Sequence, residues 1–133
     1  MAKEKVVSLD KHCNSVYQRI KRNKNCGDEW RSNRLGFHSW YKNMLEKQEG
    51  VCKYCGLPGD TLRYYGQRFR PNKRGGFNRG FYLEVDRKES KGKYEPKNCV
   101  LACYPCNNAK SDVFTYDEFR QIGEMVGRVK KKY

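Results

Sequence analysis

The sequence predicts a small α+β protein in which two short strands and a short helix are gathered at a metal site and flanked by helices at both ends. Three observations lead there. Two Cys-x-x-Cys pairs, Cys52 with Cys55 and Cys103 with Cys106, frame the middle of the chain. Between them, FYLEVD and CVLAC read as strands; in the first, a period of two puts Tyr82, Glu84 and Asp86 on one face and Phe81, Leu83 and Val85 on the other. Apolar residues then recur at helical spacing on both sides of that segment.

Taken in order, a short helix is expected from Asn14 to Arg22, with Val16, Tyr17 and Ile20 on one face. From Ser32 to Glu49 the pattern is helical again. Phe37, Trp40, Tyr41, Met44 and Leu45 share a face that reads as core, and Gly50 ends the run. CKYCGLP makes a knuckle-like turn. The stretch from Thr61 to Leu83 has no acidic residue and interleaves Arg63, Arg68, Arg70, Lys73, Arg74 and Arg79 with Tyr64, Tyr65, Phe69 and Phe77. Within it, PNKRGGFNRG reads as a basic loop. KESKGKYEPKN connects the strands, and YPCNNAKSD opens a short helix with Pro105 at its first position. Thr115 and Glu118 form a capping box before a final helix whose expected stripe is Phe119, Ile122, Val126 and Val129. Lys130 to Lys132 stand where a helix C-terminus favours cations.

Composition narrows the partners. The chain has 133 residues and a formal net charge of +14, a strong positive field for so small a body. Polyanions are the expected partners, nucleic acid first and an anionic membrane surface second. The sequence shows no long apolar helix, lipidation motif or signal peptide, so the expected place is the cytoplasm of a bacterial or phage-infected host cell. Seven cysteines in a reducing compartment are not a disulfide framework, and their odd number agrees. Four thiolates in two tight turns suit tetrahedral zinc (Zn²⁺). Buried free cysteines or a redox pair would leave the duplicated spacing unexplained. His12, Cys13, Cys26 and His38 are a second candidate zinc set, with spacings that match no known pattern, and Cys99 reads as core.

The segment LEVDR…PKNCVLACYPCNNAK resembles the HNH endonucleases, whose ββα-metal site runs from a strand ending in Asp-His, through an Asn before a second strand, to a helix carrying a final His or Asn. Here Asp86, Asn98 and Asn107 occupy the Asp, central Asn and final positions. The resemblance spans Cys52 to about Val113. It includes features of the PacI-like restriction branch: Val-Asp-Arg, a Tyr at the spacing of Tyr94 and Cys-x-x-Cys-Asn at the helix. Arg87 stands in the first histidine's place.

The resemblance implies a metal-dependent DNA endonuclease with residues 1–50 as a basic helical region and 51–133 as a zinc-stabilised ββα core, together one compact unit. Asp86 and Asn107 would ligate catalytic Mg²⁺ or Mn²⁺ with hard oxygen donors. Asn98 would hold the inter-strand loop. Arg87 stays protonated, so it serves phosphate and not base chemistry. That leaves Tyr94 either as the general base, its ionised form favoured by Arg87 and the cation, or as a packing residue over the loop. His12 and His38 lie outside the motif, and Glu84 either joins the metal shell or is solvated. Lys110 either contacts phosphate or is a plain surface lysine, and the arginine-rich run is expected along double-stranded DNA. One such site cuts one strand, so a double-strand break calls for a homodimer or two events. Restriction, homing and phage DNA processing all fit. The contrasting class is a non-catalytic zinc-stabilised nucleic-acid-binding protein, which needs no acidic residue facing phosphate.

Overall fold

The computed structural model describes residues 7–61 and 80–131. Helix α1 (Leu9–Arg22) starts earlier than expected, because the Ser8 side chain accepts a hydrogen bond from the Lys11 amide and caps it. Its buried face is Cys13, Val16, Tyr17 and Ile20. The helix expected from Ser32 to Glu49 is α3 (Arg34–Lys47), and a short helix α2 (Asp28–Arg31) that was not expected precedes it. Asn33 caps α3, its side chain accepting from the Gly36 amide at 2.9 Å. After α3 the chain turns through Glu49 and Gly50 at positive φ, 55° and 73°. The penalty for a left-handed φ falls on Glu49 alone, since glycine has no Cβ to clash.

The expected aromatic core is present. Phe37 and Tyr41 of α3 are fully buried, and Trp30 lies edge-on to Phe37 at 5.1 Å and against Trp40 at 4.8 Å. The Tyr17 hydroxyl donates to the Trp30 carbonyl at 2.7 Å, so its burial leaves no orphaned polar group.

Strands β1 (Glu84–Arg87) and β2 (Cys99–Ala102) form a two-stranded antiparallel sheet, with Asp86 opposite Val100 and Arg87 opposite Cys99. All of β2, Cys99 included, is buried. A 3₁₀ turn at Pro96–Asn98 leads into it. Next come α4 (Tyr104–Lys110), which packs on β1, and α5 (Tyr116–Lys130). Pro105 is the second residue of α4, after Tyr104. The capping box is formed: the Thr115 hydroxyl accepts from the Glu118 amide at 3.1 Å and the Glu118 carboxylate from the Thr115 amide at 2.9 Å.

The face of α5 differs from the expected stripe. Phe119 is buried and Val126 partly so, but Ile122 and Val129 are 37% and 48% exposed. Gly123 and Gly127 face inward instead. The knuckle backbone explains this: a Cβ on Gly123 would lie 2.5 Å from the Tyr54 carbonyl oxygen, and one on Gly127 would strike the carbonyl of Cys55. Only a residue without a side chain lets helix and knuckle come so near.

Among the described residues, α3 is tied to the segments that follow it. Tyr41 donates to the Leu83 carbonyl at 2.6 Å, and the Gln48 amide both donates to Leu101 O at 2.9 Å and accepts from its N–H at 3.1 Å. No helix among the described residues is long and apolar enough to cross a membrane.

Candidate active site beside a four-cysteine cluster

The two Cys-x-x-Cys turns meet. The Lys53 amide donates to Leu101 O at 3.0 Å, pinning the first knuckle to β2, whose end delivers Cys103 as N-cap of α4. The sulfurs of Cys52, Cys55, Cys103 and Cys106 all lie within 4.8 Å of one another and are buried. Cys55 and Cys103 are 3.8 Å apart at sulfur. A tetrahedral zinc with bonds of about 2.3 Å puts its sulfurs about 3.8 Å apart. The donor set and spacing therefore fit such an ion. Among the described residues no other group of three or more His, Cys, Asp or Glu converges this way. The second candidate set does not assemble: His12 Nε2 donates to Leu83 O at 3.2 Å, His38 pairs with Asn14 at 3.0 Å, and the Cys26 thiol turns to the Gly27 carbonyl.

Beside the cluster, β1, the 88–94 loop and α4 enclose a polar cleft of about 340 Å³. Asp86, Arg87, Tyr94 and Asn107 all line it. Asn98 braces the 88–94 loop. The Asn98 side chain accepts from the Glu89 amide at 3.1 Å and donates to the carbonyls of Glu89 and Lys93 at 3.2 and 2.9 Å, while its carbonyl accepts from Lys88 at 2.7 Å. The Arg87 guanidinium donates to Gly92 O at 2.9 Å and lies over the Tyr94 ring, 4.4 Å from its centre. Tyr94 is fixed by its backbone, donating to Asn25 O at 2.8 Å and accepting from the Gly27 amide at 2.9 Å. Asn107 donates from its side chain to Glu84 at 3.0 Å, which leaves the amide oxygen for other work.

Asp86 is only 6% exposed. The Tyr54 hydroxyl and the Lys110 ammonium, the latter at 3.5 Å, both meet its Oδ2. Burial holds the Asp86 carboxyl above the ordinary carboxylate range, and the Tyr54 hydrogen bond and Lys110 charge offset only part of that rise. Tyr54 itself is driven up by burial and by the Asp86 charge, so it stays a neutral donor.

The structure is similar to that of the HNH restriction endonuclease PacI. The match to that rare-cutting enzyme has a TM-score of 0.66 at 26% identity, covering 97% of this chain and 87% of the other. No protein-family model matches the sequence, and no curated protein does. The comparison supports an HNH-like relation, and with it the small α+β fold around a four-cysteine site.

Several positions were not foreseen. Lys110, expected at phosphate or on the surface, is completely buried and donates to Arg87 O at 2.8 Å. A lysine one turn into a helix ordinarily reads as surface, and nothing local marks this one as core. Tyr54 gave no signal beyond its place between two ligands. Helix α1 walls a second hollow of about 280 Å³ with Val16, Arg19, Ile20 and Asn23, and this hollow shares Tyr94 and Asn107 with the first. Neither histidine lines the cleft. The basic positions Arg63, Arg68, Arg70, Lys73, Arg74 and Arg79 lie outside the described residues.

Proposed function

We propose that the protein is a metal-dependent DNA endonuclease that hydrolyses phosphodiester bonds in the cleft between β1, the 88–94 loop and α4. The observation that carries this reading is the gathering of Asp86, Arg87, Tyr94 and Asn107 on one polar cleft in a fold similar to an HNH restriction endonuclease. A nucleic-acid binder alone has no use for a buried carboxylate aimed at its phosphates.

The donors fit a hard cation. Both recorded partners of Asp86 meet Oδ2, and among the described residues no buried side-chain oxygen lacks a partner, so Oδ1 faces the cleft. Asp86 Oδ1 and the Asn107 amide oxygen would hold Mg²⁺ or Mn²⁺. Such an ion supplies polarisation of the scissile phosphate and charge stabilisation at the leaving oxygen. The remaining work belongs to the chain. Arg87, in the place of the family's first histidine, offers a permanent charge to a non-bridging phosphate oxygen. Tyr94, beneath it, would take the proton of the attacking water as its phenolate and become the neutral phenol. Asn98 keeps the loop that carries both in one shape.

The four cysteines hold a structural zinc that joins the knuckle to β2 and α4. Double-stranded DNA is the substrate, drawn by the +14 charge and by the basic run from Arg63 to Arg79. A homodimer would present two such clefts, one for each strand.

The test is incubation with supercoiled plasmid in Mg²⁺ or Mn²⁺, with and without chelator. Nicking or linearisation that chelator abolishes is expected. Asp86→Ala and Asn107→Ala should remove cleavage while gel-shift binding persists. A protein that shifts DNA yet cuts neither strand in either ion is the zinc-stabilised binder instead.

A further inference from the structure

Tyr54 and Lys110 come from different elements and converge on one atom. Tyr54 sits between Cys52 and Cys55, its amide donating to the Cys52 sulfur at 3.4 Å. Its ring is wedged edge-on against Phe119 at 5.2 Å and Tyr116 at 5.8 Å, which aims the hydroxyl at Asp86 Oδ2. Lys110 comes from the last turn of α4 with no exposed surface. Its ammonium spends its donors on Arg87 O at 2.8 Å, Ser90 Oγ at 3.5 Å and the same Asp86 Oδ2 at 3.5 Å. Neither residue is needed to hold zinc, and neither lines the cleft.

Their joint effect is to leave Asp86 with one usable oxygen. A carboxylate ligates a cation through one oxygen or through both. Ca²⁺ takes six to eight oxygens at about 2.3–2.6 Å and accepts bidentate carboxylates readily, whereas Mg²⁺ demands a near-octahedral shell at about 2.0–2.1 Å. With Oδ2 held by a hydroxyl on one side and an ammonium on the other, the bidentate mode would require breaking both contacts.

We propose that Tyr54 and Lys110 are positioning residues that confine Asp86 to ligation through Oδ1, and that this clamp makes the cleft select a small octahedral cation over Ca²⁺. The inference rests on the reading that Asp86 and Asn107 hold the cation. It also gives the knuckle a second task, since the residue that spaces two zinc ligands orients the catalytic carboxylate.

The test needs no cleavage. Mn²⁺ binding to the zinc-loaded full chain is followed by electron paramagnetic resonance, with displacement by Mg²⁺ or by Ca²⁺. In wild type Mg²⁺ is expected to displace Mn²⁺ at lower concentration than Ca²⁺. Tyr54→Phe keeps the ring and frees Oδ2, and should shift the Ca²⁺-to-Mg²⁺ ratio toward Ca²⁺ by about fivefold, the equilibrium worth of one ordinary hydrogen bond. Lys110→Met should shift it the same way. Crystals of the wild-type protein soaked in Mn²⁺ need no variant, and should show one Asp86 oxygen on the ion and the other on Tyr54. An unchanged ratio in a Tyr54→Phe protein with wild-type zinc content and melting overturns the clamp, as does bidentate Asp86 in the crystals. Plasmid cleavage with an unmoved ratio would refute the clamp alone. A shifted ratio without any cleavage would refute the nuclease reading alone.

Discussion

Tyr94→Phe isolates the proposed base, because the structure shows what the substitution leaves intact. The two backbone hydrogen bonds of Tyr94, to Asn25 and from Gly27, do not involve the side chain. The ring stays beneath Arg87 at 4.4 Å, preserving a cation–π contact worth about 0.5–2 kcal/mol. The hydroxyl makes no hydrogen bond among the described residues, so its loss strands no partner. Stability should therefore stay within about 0.5 kcal/mol of wild type, as for substitutions that break no buried contact. The rate should fall by a factor of about 10² to 10⁴, the usual worth of a general base, which is about 2.7–5.4 kcal/mol of barrier. The assay is single-turnover cleavage of a plasmid in saturating Mg²⁺, with the urea midpoint measured in parallel. Arg87→Ala should slow cleavage too, and Arg87→Lys should recover part of it, since the charge returns without the planar fork. His12→Ala and His38→Ala are controls that should cut at close to the wild-type rate. If Tyr94→Phe cleaves normally while either histidine variant is dead, the base is a histidine from outside the motif and the chemistry proposed for this cleft is wrong.

Three further outcomes follow from the same geometry. Metal analysis should return one zinc per chain, and Cys103→Ser should unfold the knuckle, β2 and α4 together, because the ligand turns would cohere through the proposed ion; well-folded protein with less than about half an equivalent would exclude a structural role. Gly123→Ala should lower the urea midpoint: the new Cβ would meet the Tyr54 carbonyl at 2.5 Å, and overpacking against backbone costs about 1–3 kcal/mol, more than the roughly 1 kcal/mol of helix propensity gained. A variant as stable as wild type would mean that α5 does not pack so close. Burial holds His12 below its ordinary value of 6.5, so the folded state binds its proton less readily than the unfolded chain. Stability from this group is fully present above about pH 6.5 and is lost as the pH falls toward the depressed folded value. Urea midpoints should drop between neutral and mildly acidic pH, and His12→Gln should flatten that slope. An identical slope in the variant would assign it to other groups.

Local signals in the sequence determined much of this protein. The duplicated Cys-x-x-Cys spacing brought four sulfurs to one point, because two-residue gaps impose tight turns whatever surrounds them. Alternation located the strand that carries Asp86, the Thr115–Glu118 box began α5 where expected, and Asn98 ties the loop as an asparagine before a strand can. Only the tertiary structure decided which residues meet across long stretches of chain. It buried Lys110 against Asp86, aimed Tyr54 at the same oxygen and made α1 a wall beside Tyr94. It also turned α5 so that Gly123 and Gly127, not Ile122 and Val129, face the knuckle. Hydrophobic periodicity could not anticipate these, since a glycine has no apolar side chain to mark the buried face. A lysine, likewise, reads as surface until a carboxylate from another element lies within reach of its ammonium.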